Sequence, residues 1–496
     1  TASQGRLNRA WEHIDKSNKS NGNNSQAHAV KALILIRMGR YDEALELTRS
    51  SLLTDPMDLF SKQLQVTAAT ASGMDNAALE ALEAELLELT RANAENHIEM
   101  AIRFARCGFV KEALHVLECL PGGPDNVTVS PLVFYYKAFY HEQMGESDKA
   151  SSLLVKASRV SPQYCFPYRQ ETYPVLEWAI SENPDDALAH YLLGNLLRKN
   201  ERSEEAVAHW ERSVKLDPGN VVAQRNLGQV YYEEGDLHKA KTAYQAAIEA
   251  DPSAGKAIAE LGLINWELEA PFQEQIALYE DNIKVVRENN PAVSQLILLY
   301  ILTGKNNEAV KLLNNTHFNS WEGKYGIHQT WVQGNIKQGD TEFEKGNFKE
   351  ALSYYKQSLL YPDNLEVAEQ PNTIHARKNY KIGKALEALS KTDQPREYYE
   401  LVIADNVEDG NAYQYYRARA MEALKRKQEA KKIYEKMLKA LDEDMDASSQ
   451  AVSLFTRSLA LEGLGKKKEA ETDRSRAFDL NPLVEISAFR PPRSGF

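Results

Sequence analysis

One loop of the sequence combines residue types that could form a polar site. The stretch HFNSWEGKYGIHQTW, residues 317–331, has no helical period and contains histidine, tryptophan, glutamate and tyrosine side chains. Such groups could bind a ligand or transfer a proton, and the glycines between them allow the tight turns that a pocket-forming loop needs. The candidate residues in this loop are His317, Trp321, Glu322, Tyr325 and His328.

The same loop also has a structural interpretation. Trp321 and Trp331 could fill the place where a repeating helical structure is interrupted, while Glu322 caps the helix that follows. We therefore keep three alternatives for this loop: a docking surface, a structural plug and a catalytic site.

Motifs of the common enzyme classes are missing from the sequence. It has no GxxxxGK[ST] phosphate loop, no GxGxxG after a strand, no HExxH zinc pair and no GxSxG nucleophile motif. Its 11 histidines are scattered along the chain. We therefore predict that the protein is not an enzyme and that it needs no metal or cofactor.

The composition is that of a folded protein: 43% of the 496 residues are hydrophobic and 26% are charged. The net charge of -12 argues against nucleic acid as the main partner, because phosphate binding needs a basic surface. No run approaches the ~18 apolar residues of a membrane span. The chain opens at Thr1 rather than at a methionine, which indicates a processed protein or a fragment of a longer one.

The three cysteines, Cys107, Cys119 and Cys165, form no CxxC pair and no disulfide framework. They stand in helix-like apolar sequence, which predicts buried thiols. Their odd number favours a reducing, cytoplasmic compartment over export.

The elements that must position these residues come from a repeat. The segments LLGNLLRKNERSEEAVAHWERSVKLDP and NLGQVYYEEGDLHKAKTAYQAAIEADP match after a shift of 34 residues. The matched pairs are Gly194 with Gly228, Ala206 with Ala240, Trp210 with Tyr244, and Pro218 with Pro252. Glycine and alanine allow two helices to approach closely, and each proline ends a helix because it lacks the N–H donor.

That period and those residues resemble the tetratricopeptide repeat (TPR), a helix–turn–helix unit. Weaker copies extend in both directions, so that about eleven units cover nearly the whole chain. The resemblance implies an all-α fold, a TPR superhelical solenoid of helical hairpins with irregular insertions. The interval between Pro162 and Pro184 has room for one extra helix.

The repeat pattern predicts five segments along the chain. They are divergent N-terminal hairpins (1–125), a central array (126–270) with its best repeats at 187–254, a divergent repeat with the loop (271–331), C-terminal repeats (332–489) and a tail (490–496). Pro491 and Pro492 cannot continue a helix, so the tail is either a disordered end or a strap along the last hairpin.

In TPR proteins the ligand usually contacts the first helix of each repeat, which implies a peptide-binding or partner-binding groove in this chain. The residues at the corresponding positions are Tyr191, Asn195, Arg198, Arg225, Asn226, Gln229 and Lys256. Asparagine amides can pair with the backbone of an extended peptide, and basic groups can hold a carboxylate.

The groove residues resemble in part the carboxylate clamp of chaperone adaptors. Asn195, Asn226 and Lys256 match its asparagines and one lysine. Tyr191 and Glu260 stand where that clamp is basic, and Glu260 would repel a C-terminal carboxylate. A generic peptide groove and a solvated surface are the alternatives to a true clamp.

A second resemblance covers about residues 125–405. The segments FPYRQETYPVLEWAISENPDDALAHYLLGNLL, FNSWEGKYGIHQ and SLLYPDNLEVAEQPN are similar to the tail of large bacterial proteins, in which a β-rich region of unknown function precedes TPR repeats. This resemblance implies that the chain is the C-terminal half of a larger protein with a connection to carbohydrate.

These observations predict a non-enzymatic TPR scaffold that binds a protein or peptide, either another chain or its own missing N-terminal domain. The alternative is an accessory region of a bacterial carbohydrate-active or carbohydrate-binding protein. In that case residues 317–331 and 361–372 contact a catalytic domain or its substrate, and carbohydrate is only an indirect partner.

Overall fold

The computed structural model describes residues 7–20, 24–120, 130–319, 326–369, 373–390, 393–443 and 450–489. Within these ranges the chain forms α-helices and one short 3₁₀ helix, Asp363–Leu365, and no β-strand. The predicted all-α class is therefore confirmed. The chain divides into two compact units, Thr1–Val230 and Tyr231–Phe496.

The N-terminal unit is a succession of helical hairpins, as the TPR resemblance implies. Its hairpins are the helix pairs α2–α3, α4–α5, α6–α7, α8–α9 and α11–α12, whose residue ranges are given next. The helices are α1 (Leu7–Ser20), α2 (Ser25–Arg37), α3 (Tyr41–Thr54), α4 (Leu59–Ser72), α5 (Asn76–Thr90), α6 (Ala94–Arg106), α7 (Val110–Glu118), α8 (Pro131–Gln143), α9 (Ser147–Ala157), α10 (Thr172–Glu182), α11 (Ala187–Lys199) and α12 (Ser203–Leu216), and α13 (Val221–Glu233) begins in this unit.

The C-terminal unit repeats the pattern, with hairpins α15–α16, α18–α19, α20–α21, α22–α23, α24–α25 and α26–α27. Its helices are α14 (Leu237–Ala250), α15 (Gly255–Glu267), α16 (Phe272–Asp281), α17 (Ile283–Val286), α18 (Asn290–Leu302), α19 (Asn306–Asn315), α20 (Gly326–Glu344), α21 (Phe348–Gln357), α22 (Ala376–Ala388), α23 (Gln394–Ala404), α24 (Tyr413–Ala423), α25 (Lys427–Glu443), α26 (Gln450–Gly463), α27 (Lys467–Leu480) and α28 (Val484–Ala488). The predicted solenoid of hairpins is thus confirmed.

Local signals set the helix ends. Asp58 and Asn93 precede α4 and α6, and each side-chain oxygen accepts hydrogen bonds from two backbone N–H groups of the first turn. Gly73 ends α4 with φ of 70°, a left-handed conformation that costs glycine little. These caps close the short turns that make each pair of helices a hairpin.

Glycines on the first helix of a hairpin mark the closest approach to the second helix. A Cβ atom on Gly194 would lie 2.6 Å from the Trp210 ring, and one on Gly339 would lie 2.5 Å from the Tyr355 ring. These distances leave no space for a methyl group, so each aromatic ring sits directly on a glycine. The repeat markers Gly194 and Trp210 are therefore contact partners within one hairpin.

The insertion predicted between Pro162 and Pro184 is α10. The segment that leads into it is held by Arg169, whose Nε donates to Glu99 Oε2 at 3.1 Å and whose guanidinium also pairs with Glu95. Both glutamates lie on α6. The extra helix is thus attached to the preceding repeats by an ion-pair network.

The prediction of buried thiols is confirmed for only one of the cysteines. Cys165 is buried, whereas Cys107 is half-buried and Cys119 is exposed. Cys107 and Cys119 are the residues directly after α6 and α7, where the chain turns at the surface.

The remaining sequence predictions concern membrane spans, segment boundaries and the C-terminal tail. No helix in the described ranges is long and apolar enough to cross a membrane. The segment boundaries given above remain predictions. The tail, residues 490–496, lies outside the described residues.

Candidate functional site

Four predicted groove residues line one cleft in the N-terminal unit. Asn195 and Arg198 lie on α11, and Asn226 and Gln229 lie on α13. The cleft has a volume of about 260 Å³, and its remaining lining residues are Trp210 and Val230. Because α11 and α13 begin successive repeats, the cleft lies between the first helices of two neighbouring repeats.

Asn195 is engaged in holding the cleft together. Its Oδ1 accepts from Trp210 Nε1 at 3.0 Å and from Asn226 Nδ2 at 3.1 Å. Its side chain also hydrogen-bonds to the hydroxyl of Tyr191, which is only 3% exposed and whose pKa is raised by burial. Asn195 and Tyr191 therefore use their polar groups within the wall of the cleft.

The more accessible candidates are cationic and carboxamide side chains. Arg198 is half-buried and donates from Nη1 to Ser203 Oγ at 2.7 Å. Arg225 and Asn226 are half-buried, and Gln229 is exposed. Beside Trp210 and Val230, the Arg198, Asn226 and Gln229 side chains offer hydrogen bonds that suit the C=O and N–H groups of a peptide backbone. The predicted groove residue Arg225 is not among the residues that line the cleft.

The remaining clamp positions lie in the C-terminal unit. Lys256 is exposed near the start of α15, and Glu260 is half-buried on the same helix. The residues compared with a carboxylate clamp are therefore divided between the two units, and Tyr191 is not an accessible member of the set.

The two histidines of the 317–331 loop contact different residues of the segment 360–366. His317 is exposed, and its Nε2 lies 3.0 Å from Glu366 Oε1. His328 is 7% exposed, stacks on the Tyr361 ring at a centroid distance of 3.8 Å and has Nε2 3.0 Å from the Leu360 carbonyl oxygen. Desolvation lowers the pKa of His328 to about 4, so the ring is neutral near pH 7 and donates from Nε2.

Trp331 is a core residue, as the structural interpretation of the loop predicts. It is 3% exposed, and its Nε1 donates to the Gln357 carbonyl oxygen at 3.1 Å. The other candidates in the loop, Trp321, Glu322 and Tyr325, lie outside the described residues.

The two stretches singled out in the sequence contact each other. Asn364 Nδ2 donates to the carbonyl oxygens of Leu313 at 2.8 Å and Thr316 at 2.7 Å, and Phe318 N donates to the Asn364 carbonyl at 2.8 Å. Leu365, next in the chain, is fully buried. Segment 360–366 thus docks on the end of α19 and the start of the loop.

Sequence reasoning missed a buried ionic cluster in the C-terminal unit. Arg377 on α22 donates from Nη1 to Gln333 Oε1 at 2.7 Å and from Nη2 to Glu485 Oε1 at 2.6 Å. Lys337 Nζ lies 2.6 Å from Glu485 Oε2. Burial alone would raise the pKa of Glu485, but the charges of Arg377 and Lys337 outweigh it and lower the pKa to about 2. No short motif signals this cluster, because its members stand far apart in sequence.

In the part of the chain that the structure describes, no group of three or more His, Cys, Asp and Glu side chains is arranged to hold a metal ion.

Two family comparisons agree with the repeat. Models of the tetratricopeptide repeat match residues 185–253, which include the cleft, and residues 25–50. The tetratricopeptide repeat-containing protein trd-1 of Caenorhabditis elegans is 24% identical over 189 residues, which are 37% of this chain. The matched region spans 21% of the length of trd-1.

Solved structures of low identity also resemble the chain. A tetratricopeptide repeat protein from Parabacteroides merdae has 15% identity, a TM-score of 0.27, and coverage of 58% of this chain and 97% of its own. MamA from Desulfovibrio magneticus has 20% identity, a TM-score of 0.23, and coverage of 40% of this chain and 97% of its own. The family matches identify residues 25–50 and 185–253 as tetratricopeptide repeats.

Proposed function

We propose that the chain is a non-enzymatic scaffold that binds a protein or peptide partner through the cleft between α11 and α13. The observation that carries this proposal is the convergence of Asn195, Arg198, Asn226 and Gln229 on one cleft beside Trp210. TPR arrays bind partners on the surface formed by successive first helices, and the matched repeats 185–253 contain both helices.

The chemistry of the cleft favours a peptide backbone over a C-terminal carboxylate. Gln229 and Asn226 offer amide groups that can both donate and accept, and Arg198 supplies one positive charge. The Tyr191 position, basic in a carboxylate clamp, is a buried phenol. Peptides of one sequence with free and with amidated C-termini should therefore bind with equal affinity.

The test is capture of partners by the intact chain and by a variant with a blocked cleft. Gln229→Arg introduces a larger, charged side chain at an exposed position of the lining. Quantitative mass spectrometry of proteins captured from the source cells should show partners that bind the wild-type chain at least about tenfold better, a loss of roughly 1.4 kcal/mol.

The matched control is Gln163→Arg, which makes the same change at an exposed glutamine elsewhere in the N-terminal unit. The control should capture the same partners as the wild-type chain. Equal capture of partners by the Gln229→Arg variant and by the control would show that the cleft is not the binding surface.

The alternative, an accessory region of a bacterial carbohydrate-active protein, gains no support from the matched family or from the relatives above. No contact of the described residues favours it, and it is not proposed.

A further inference from the structure

The C-terminal unit contains a segment that lies across the first helices of its own repeats. Helix α28 and the residue after it, Phe489, follow the last hairpin and pack against α20 and α26. Val484, Ala488 and Phe489 are buried, with Val484 fully so. The segment therefore occupies the face that in TPR arrays is the one presented to ligands.

At one end the segment is held by charge. The Glu485 carboxylate accepts a hydrogen bond from Arg377 Nη2 on α22 at 2.6 Å. Its other oxygen lies 2.6 Å from Lys337 Nζ on α20. The side chains of Arg377 and Glu485 are only 4% and 18% exposed. A buried charge costs free energy unless an opposite charge lies close to it. The Arg377–Glu485 pair therefore favours a carboxylate at this position of the bound segment.

At the other end the segment is held by aromatic rings. The Phe489 ring lies 5.1 Å from Tyr413 and 5.6 Å from Tyr416, both on α24, and 6.2 Å from Phe455 on α26, measured between centroids. The Arg377 guanidinium lies 4.5 Å from the same ring centroid. The Tyr413 hydroxyl donates to the Phe489 carbonyl oxygen at 2.8 Å. Tyr413 therefore contacts both the backbone and the ring of Phe489.

These contacts differ from those expected of a helix that only covers the apolar surface of the last hairpin. A cover for the last hairpin needs apolar contact with α26, whereas this segment is recognised by side chains from α20, α22, α24 and α26. Glu485 and Phe489 are four residues apart, and that spacing brings two side chains to one face of a helical turn. Arg377 contacts both of them.

We propose that this face of the C-terminal unit is a binding site for a short helical segment with a carboxylate at one position and phenylalanine four positions later. The chain's own residues 484–489 occupy the site in cis, and a partner segment of the same form competes for it in trans. The inference rests on the proposed function in treating the repeats as binding surfaces, but it concerns a different surface and a defined ligand.

Occupation in cis predicts weak binding of an added peptide to the intact chain. A tethered ligand competes at an effective concentration on the order of millimolar, so an added peptide binds only after displacing it. Removal of the segment should therefore strengthen binding of the same peptide at least about tenfold.

The experiment uses a labelled peptide copying residues 481–496 and two proteins: the intact chain and a chain ending at Leu483. Fluorescence anisotropy should show saturable binding to the truncated chain and much weaker binding to the intact chain. Peptides with the Glu485→Gln or Phe489→Ala change should each bind the truncated chain at least about tenfold more weakly. An alanine-based peptide with Glu and Phe four apart should bind, and one with the two residues adjacent should not.

The matched protein variants are Arg377→Ala and Arg426→Ala in the truncated chain. Arg426 is a half-buried arginine paired with Glu429 at 2.7 Å, so its loss removes an ion pair outside the site. Only Arg377→Ala should weaken binding of the peptide to the truncated chain. Both changes are made in the same truncated chain, so a difference between them isolates the contribution of Arg377.

Three outcomes would overturn the inference. The truncated chain could be folded, with the helicity of the intact chain and a cooperative unfolding transition, and yet bind no peptide. It could fail to fold even with the peptide at millimolar concentration, which would make residues 484–489 part of the core. The altered peptides could also bind as well as the native one. None of these results touches the cleft between α11 and α13, whose test uses Gln229→Arg.

Discussion

Single polar side chains in this protein often serve the fold rather than a ligand. Asn195 was predicted as a groove residue, yet its amide joins Trp210 and Asn226 across the cleft wall. His328 was a candidate for a polar pocket, yet it stacks on Tyr361 and donates to a backbone carbonyl. In both cases a buried polar group satisfies its hydrogen bonds inside the protein, as the cost of an unpaired group requires.

The buried state of His328 predicts a pH-dependent stability. Its pKa is about 4 in the folded chain and about 6.5 when unfolded, so the unfolded state binds more protons between these values. The free energy of unfolding should therefore fall as the pH decreases from 6.5 to 4. One histidine with this difference contributes up to about 3 kcal/mol.

The measurement is urea unfolding at pH 7 and pH 4.5 for the wild-type chain and His328→Gln. Glutamine retains an N–H donor for the Leu360 carbonyl and cannot gain a charge, so the variant should lose less stability on acidification. His13→Gln, a change at an exposed histidine on α1, is the control and should behave as the wild type. Identical pH slopes for His328→Gln and the wild-type chain would contradict the assignment.

At the scale of elements, helices are placed by their neighbours in the repeat, whereas the irregular segments are placed by specific hydrogen bonds. Segment 360–366 has little helical structure, and it is held by Asn364 against the end of α19 and by His317 through Glu366. Its Leu365 enters the core. This segment and residues 316–319 after α19 therefore form one irregular layer.

Asn364→Ala should loosen that layer. The change leaves the carbonyl oxygens of Leu313 and Thr316 without their donor, which costs on the order of 1–3 kcal/mol. Hydrogen exchange should show faster exchange of the Phe318 amide, which donates to the Asn364 carbonyl. Asn314→Ala, at an exposed position on α19, should leave that amide unchanged. An unchanged rate in the Asn364 variant would mean that Leu365 packing alone holds the segment.

The whole molecule consists of two compact units with equivalent aromatic contacts. Phe60 in the N-terminal unit packs edge-on against Phe104 at 5.2 Å, and Phe489 in the C-terminal unit packs edge-on against Tyr413 at 5.1 Å. Both phenylalanines are buried. Each therefore reports on the stability of the unit to which it belongs.

Phe60→Ala and Phe489→Ala form a matched pair of tests. Each removes a buried ring, with an expected loss of about 3–5 kcal/mol. Hydrogen exchange should increase in α4 and α6 for the first variant and in α24 and α26 for the second, because the lost contacts are local to one unit. Faster exchange throughout the chain in either variant would show that the two units unfold as one.

The sequence alone determined the repeat, the all-α class and the hairpins. This was possible because a TPR hairpin is stabilised by contacts with its sequence neighbours, so that glycine, alanine, aromatic and proline residues recur with the period of the structure. The resemblance to TPR proteins implied groove residues on α11 and α13, and four of them line the cleft. It did not predict that the Asn195 amide is used internally, because hydrogen-bond partners depend on side-chain orientation.

Only the tertiary structure revealed the site around Glu485. Arg377 and Glu485 are separated by 108 residues, and Lys337, Tyr413 and Phe455 reach the same segment from other repeats. A repeat pattern describes contacts between neighbours and contains no information on which distant side chains meet across a face. That meeting depends on the packing of several hairpins together, which is the physical reason why the cluster is visible only in the folded chain.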